Sequence, residues 1–381
     1  MAEGRSEAPQ VDGHRDLADG VRTLAPVSAD EERLARARAQ FSPQVVHLNT
    51  PTLGLAPRRT LDAVRAALEE WGAGTVDAPS YDSAVARSRR AYAELVGVAT
   101  DRVAIGSQAS VLVGLVASAL PAGARVVVAS DDFTSVLFPF LAQVPRGVVV
   151  EEVPLERVVD AVRAGADQVA VSAVQSRDGR VLDLDALADA CDASGTRSLV
   201  DLTQAAGWLP VDASRFDVTV ASAYKWLLSP RGAAYLTVRE QVQDDLVPHG
   251  SGWYAGERPW ESIYGTPLRL APDARRFDAS PAWHAWVGAA ESMDLLLDVG
   301  RDLLHRNATG LADRFRAGVG LDAGDSAIVS LEVTPEGQER LAAARVVGSV
   351  RAGRVRLGFH VSTTEDDVDA AVAALADHVV R

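Results

Sequence analysis

The spacing of apolar residues divides the chain into three textures. Residues 1 to about 28 mix Ala, Asp, Glu and Gly with no sustained period, which predicts a mobile arm. Helical spacing follows. Glu31 to Phe41 reads as an exposed helix, and Arg58 to Trp71 places Leu61, Val64, Leu68 and Trp71 on one face. Ser83 to Val98 reads as a second amphipathic helix carrying Tyr92, Leu95 and Val96. From Val103 onward short apolar runs take over. Strands are expected at Val103 to Ile105, Arg125 to Ala129, Val148 to Val153, Gln168 to Val174, Ser198 to Leu202, Val218 to Ala221 and Ala233 to Val238. Helices at Ser110 to Leu120 and Leu184 to Ser194 fall between them. Strands apolar on both sides, alternating with helices, predict an α/β domain with a mostly parallel sheet covered on both faces.

Beyond about residue 240 the pattern loosens into aromatic and proline-rich loops from His249 to Pro281, followed by a long helix from Pro281 to Val299. The tail reads as helix, strand (Ala327 to Val333), helix (Pro335 to Ala344), strand (Arg354 to Phe359) and helix (Glu365 to Val380), a small α+β domain. The expected organisation is an arm over 1–28, then a segment over 29–52 that packs on the small domain or the active site. A large α/β domain over 53–245 follows, and an interface segment with the C-terminal domain over 246–381.

Composition narrows the class. A net charge of −14 over 381 residues opposes broad binding to nucleic acid or anionic membranes. The lone cysteine, Cys191, allows no intramolecular disulfide, and the histidines show no metal-ligand spacing. The first thirty residues lack the apolar stretch of a signal peptide, and Val111 to Leu120 is too short to span a bilayer. The expected compartment is the cytoplasm.

One compositional feature points to chemistry. Of 38 basic Lys and Arg residues only Lys225 is lysine. A guanidinium keeps its proton at any working pH, whereas an ammonium can lose its proton on burial and attack a carbonyl. Compositional bias alone would also leave a chance survivor. Asp201 ends the Ser198 to Leu202 run, where open α/β sheets place ligand-binding residues, and Gln204 follows three positions later. Alone, Asp201 reads equally as a helix cap or a half-exposed acid. An acid, an amide and a lysine at neighbouring strand ends suit pyridoxal 5'-phosphate. Lys225 would form a Schiff base, Asp201 would keep the pyridine nitrogen protonated, and Gln204 would donate to the phenolic oxygen.

The run from Val200 to Leu236, with Asp-x-x-Gln, Ser-x-x-Lys-Trp-Leu and Pro-x-Gly in order, resembles the signature of the class V aminotransferase family of fold-type I enzymes. A weaker likeness extends from His47 to about Asp369. The texture is closest to isopenicillin N epimerase-like and kynureninase-like members. Cysteine desulfurases need a nucleophilic cysteine in the last third, and this chain has none there.

The resemblance implies further roles. Ser222 would bind the phosphate, and Tyr224 stands where desulfurases carry histidine. The loop Gly106 to Ser110 would be the phosphate loop, making Ala109 and Ser110 cofactor contacts, although a plain serine cap fits as well. Phe133 would stack on the cofactor ring, or serve as a core aromatic. Ser176 lies in the loop beneath the substrate. Ser280 would reach the partner's phosphate in a homodimer. Arg356 would fork onto the substrate carboxylate, though exposed strand arginines are common. Trp253 would line the substrate pocket or act as a core or interface aromatic.

Together these imply an enzyme acting on an amino-acid-like small molecule, with transamination leading. A β-eliminating C–S lyase or an epimerase is the alternative, and a non-catalytic scaffold of the same fold the remote one.

Overall fold

The computed structural model describes Met1 and residues 28–380, so most of the expected arm lies outside the described residues. After a short helix, Ala29–Arg38, the first strand is β1 (Val46–His47). Seven strands then build the main sheet: β2 (Val103–Gly106), β3 (Arg125–Ala129), β4 (Val149–Val153), β5 (Gln168–Ser172), β6 (Arg197–Asp201), β7 (Val218–Ser222) and β8 (Ala234–Val238). Their spatial order is β2-β8-β7-β6-β5-β3-β4. Pairing is parallel from β7 across to β4, and β8 runs antiparallel to both of its neighbours.

Alternation along these strands feeds two cores. Val127, Val169, Val171 and Val200 pack in a cluster on one face, while Val126, Val128, Ala170 and Leu199 pack on the other. Successive strand residues point to opposite faces, so a sheet buried on both sides must be apolar at consecutive positions. The register of β5 and β6 sets Ser172 opposite Asp201, and β6 sets Asp201 opposite Val220. The carboxyl ends of three neighbouring strands therefore deliver Ser172, Asp201 and Ser222 to one edge.

Four strands build the small domain: β9 (Ile328–Leu331), β10 (Val346–Val347), β11 (Ser349–Arg351) and β12 (Arg354–Gly358). Three of them form an antiparallel sheet in the order β11-β12-β9, and β10 pairs with β1 in parallel. Leu48 sits in the small domain's core, and Asn49 bridges to Gly358.

Two helices of six residues or more escaped the periodicity. Thr134–Leu141 contains Pro139 and is apolar almost throughout, so neither its composition nor its spacing signals an amphipathic helix. Val158–Arg163 is only six residues long. The run expected as a strand to Val174 ends at Ser172, and Val174 bridges to Val181 instead.

A buried ion pair pins the segment before the long helix Trp283–Val299 to the sheet edge. Arg89 forks onto Asp278 at 3.0 and 2.6 Å, and Asp278 also accepts the Ile105 amide at 2.8 Å. Both side chains are buried. Asp278→Ala is expected to lower the unfolding free energy by about 3–5 kcal/mol, because it strands a buried guanidinium. A loss below about 1 kcal/mol in urea titration would show that water reaches Arg89 and that the pair is not a structural anchor.

Candidate active site

Lys225 follows β7 in a tight loop where Ala223 donates to Ala233 O and Ser229 donates to Ala223 O, both at 3.0 Å. The Lys225 side chain is only 4% exposed, and it forms no ion pair among the described residues. Burial pushes its ammonium down to about 8; Asp201 acts in the opposite direction, while Arg356 and Arg351 add to the depression. Nζ lies 5.0 Å from the Phe133 ring centroid and 5.9 Å from that of Tyr224. Arg231 covers the Tyr224 ring at 5.2 Å.

Asp201 is buried beside it. Burial pushes its carboxyl up, while hydrogen bonds from Thr203 and the charge of Lys225 hold it down. Oδ1 accepts the Thr203 amide at 2.8 Å. The Thr203 hydroxyl accepts from the Ser222 amide at 3.0 Å, and Ser222 Oγ accepts from the Ala109 amide at 3.4 Å. Ala109 opens the helix Ala109–Ser118, whose N-cap Gln108 makes no side-chain cap. The helix start is therefore an uncapped set of amides beside a serine hydroxyl, suited to an anion.

Gln204 is fully engaged. Its Nε2 donates to Pro51 O at 2.9 Å and Ser176 Oγ at 3.0 Å, while Oε1 accepts from Trp226 Nε1 at 2.7 Å. Indole can only donate, which fixes the orientation of the amide. For Gln204 to donate to a phenolic oxygen it must release one of these acceptors. Phe133 is 43% exposed, and its amide donates to Asp132 Oδ1 at 2.6 Å. Asp132 is buried and also accepts the Ser172 amide at 2.7 Å.

The pocket at this edge is lined by Ala109, Phe133, Ser176, Asp201, Gln204, Ser222, Tyr224 and Lys225, with Ser135, Ser172 and Thr203. Eight residues expected from the sequence thus converge. Ser110 sits in the first turn of the helix next to Ala109. Arg356 does not line the pocket but stands directly behind it, almost wholly buried, and donates to Ser176 O and to Ser176 Oγ at 3.1 Å. Trp253 lies elsewhere, its ring tilted against that of Trp260 with centroids 4.7 Å apart, and Ser280 is exposed beyond the pinned Asp278. A larger hollow of about 1090 Å³ opens near the amino ends of the strands, and none of these residues lines it.

The aminotransferase class-V family model matches residues 57–323. This chain belongs to the class-V aminotransferase family. Its members include aminotransferases, lyases and an epimerase. The chain is 32% identical over 225 residues to an uncharacterized aminotransferase, YcbU, of Bacillus subtilis, covering 56% of this chain and only 59% of that protein's length. It is 29% identical over 314 residues to a kynureninase of Deinococcus radiodurans, covering 77% and 76%. Among solved structures, a cystine C–S lyase superposes with a TM-score of 0.79 at 20% identity, covering 88% and 98%, which shows the shared fold. As a class-V member the protein is an enzyme that uses pyridoxal 5'-phosphate.

The residues present fit that cofactor. An unpaired buried amine stands ready for its aldehyde, and a buried carboxylate is available for its ring nitrogen. The uncapped helix start and Ser222 suit its phosphate, and the half-exposed face of Phe133 suits its ring. The cysteine adds nothing to this set: Cys191 packs in the core, and burial pushes its thiol up to about 12. Thr203 and Asp132 were within reach of sequence reasoning, since Thr203 lies inside Asp-Leu-Thr-Gln and Asp132 precedes Phe133. Neither residue type carries a signal until strand register brings it to the pocket.

Because Lys225 has a folded-state pKa near 8 against an ordinary 10.5, the unfolded chain binds its proton more tightly. The buried ammonium therefore destabilises the apoprotein below about pH 8, and the penalty fades as pH rises toward 10.5. Lys225→Met is expected to stabilise the apoprotein by roughly 3 kcal/mol at pH 7, with the gain shrinking above pH 8. After reductive methylation with carbon-13 formaldehyde, the sole lysine should give one side-chain NMR signal titrating near 8. Asp201→Asn should lower that midpoint. A midpoint at the ordinary lysine value would contradict the burial argument.

Proposed function

We propose that the protein is a transaminase acting on an α-amino acid or amine, with Lys225 as the attachment point of the cofactor. The carrying observation is the single lysine, buried and unpaired beside Asp201 at the carboxyl edge of the sheet. When bound, pyridoxal phosphate supplies an aldehyde for amine exchange and a ring that holds the electron pair released at Cα. Asp201 provides the negative charge that favours a protonated ring nitrogen. Ser222 and the amides beginning at Ala109 and Ser110 take the phosphate, and Phe133 offers the stacking face.

The Lys225 amine, when free, would be the base that takes the proton from the substrate's Cα. A depressed pKa near 8 leaves a useful fraction of free amine at neutral pH. Ser176 orients the substrate side of the site. Its oxygen accepts from Gln204 and Arg356, so its own proton is left to donate into the pocket. Arg356 takes the substrate's α-carboxylate.

The identity to YcbU supports the transaminase reading. The pinned, exposed segment at Ser280 supports a homodimer in which Ser280 reaches the partner's site. No described helix is long and apolar enough to cross a membrane.

The purified protein should be yellow, and borohydride should fix the cofactor on the peptide containing Lys225, because no other side-chain amine exists. Lys225→Ala should lose the coloured band and all covalent attachment. In single turnover with a panel of amino acids, transamination converts the cofactor to its amine form. Release of ammonia with a keto acid would establish β-elimination instead, and loss of optical activity alone would establish epimerisation.

A further inference from the structure

The face of the small-domain sheet that looks toward the pocket carries more positive charge than one carboxylate requires. Ser349 and Arg356 are directly paired across β11 and β12, so their side chains share a face, and Ser349 Oγ accepts from Arg356 Nε at 3.2 Å. Arg351 lies two residues beyond Ser349 on β11 and projects from the same face. Both guanidiniums converge on one hydroxyl: Thr52 Oγ1 accepts from Arg356 Nη2 at 2.9 Å and from Arg351 Nη2 at 3.3 Å. The two cations therefore lie close enough to be spanned by one small molecule.

Neither arginine forms an ion pair among the described residues. Arg354, directly opposite Arg351 on the hairpin, shows the contrast: it reaches Glu332 at 3.8 Å and Ser330 O at 3.2 Å. Like charges placed directly across a strand pair are unfavourable, so Arg351 is a cost to the hairpin. In a chain with 52 acidic residues against 38 basic ones, two adjacent guanidiniums without a carboxylate mark a place kept open for an incoming anion.

The donor inventory agrees. Of its five N–H groups Arg351 uses one on Val350 O and one on Thr52. Three remain for a ligand, and the side chain is exposed. Thr52 accepts from both arginines, which leaves its own hydroxyl proton to donate. Electrostatics points the same way: burial, with the charge of Arg351 added to it, depresses Arg356 to about 10, and Arg351 adds to the larger effect of burial on Lys225, so an anion between the two arginines would offset that repulsion.

We propose that Arg351 is a specificity residue that receives a second acidic group, so that the substrate is an amino acid whose side chain ends in a carboxylate or a comparable anion. The inference rests on Arg356 taking the α-carboxylate. Arg356 then sets the common end of every substrate, and Arg351 reads the distal end.

The test uses holoprotein and unreactive ligands in matched pairs, succinate against butyrate and glutarate against pentanoate, with affinities from calorimetry. Wild type should bind at least one dicarboxylate about tenfold more tightly than its monocarboxylate partner. Arg351→Gln should erase that preference while leaving monocarboxylate affinity within about twofold, and Arg351→Lys should restore part of it. Arg356→Gln should weaken both classes. Equal weakening of both classes by Arg351→Gln, or no preference in wild type, would overturn the proposal and leave the role of Arg356 standing. Retained monocarboxylate affinity in Arg356→Gln would instead remove the reading on which the proposal rests. Arg351 is exposed and opposed by Arg354, so thermal unfolding of Arg351→Gln should match or exceed wild type, which separates recognition from folding.

Discussion

Holding the Lys225 ammonium out of water is the constraint on which the site depends. Burial removes its hydration, and among the charges around it only Asp201 offsets the loss, while Arg356 and Arg351 deepen it. A lysine in that position gives up its proton near neutral pH, which is what an amine needs to attack an aldehyde or accept a proton from carbon. Asp201 stays useful for the converse reason. Thr203 and Lys225 hold down a carboxyl that burial pushes up.

Backbone packing enforces this burial. Gly54 donates to Tyr224 O at 3.0 Å, and a Cβ at Gly54 would stand 2.0 Å from Lys225 O. On the other side Gly207 has φ +111°, and a Cβ there would stand 2.4 Å from Trp226 O. The chain on either side of the lysine is thus gripped by two glycines at distances no side chain permits. His360 completes the grip from the small domain, its Nε2 lying 2.8 Å from Trp226 O. Three stretches far apart in the chain therefore fix one loop, and changes in any of them are felt at Lys225.

The same convergence ties recognition to the catalytic edge. Arg356 comes from the small domain, Thr52 from the N-terminal segment and Ser176 from the large domain, and Gln204 joins Ser176 to the lysine loop through Trp226. Arg356 thereby holds Ser176, which lines the pocket, and Thr52, which does not, in one hydrogen-bonded set.

Much of this was legible in the chain itself. A single lysine among arginines, with Asp201 and Gln204 at fixed spacing upstream, pointed to pyridoxal 5'-phosphate chemistry, and the family match bears out the cofactor. Apolar runs on consecutive positions specify a sheet buried on both faces, because period two leaves no side for water. The helix at Thr134–Leu141 stayed hidden because a proline and an unbroken apolar run cancel its periodic signal. Arg351 was one of 37 arginines, indistinguishable by spacing. Only the register of β11 against β12, and the arrival of Thr52 from some 300 residues away, set it beside Arg356 with no acid between them. Residue type determined which chemistry the chain can perform. Tertiary structure decided which charges lie close together, since electrostatic interaction depends on distance and burial, and neither is written in the order of residues.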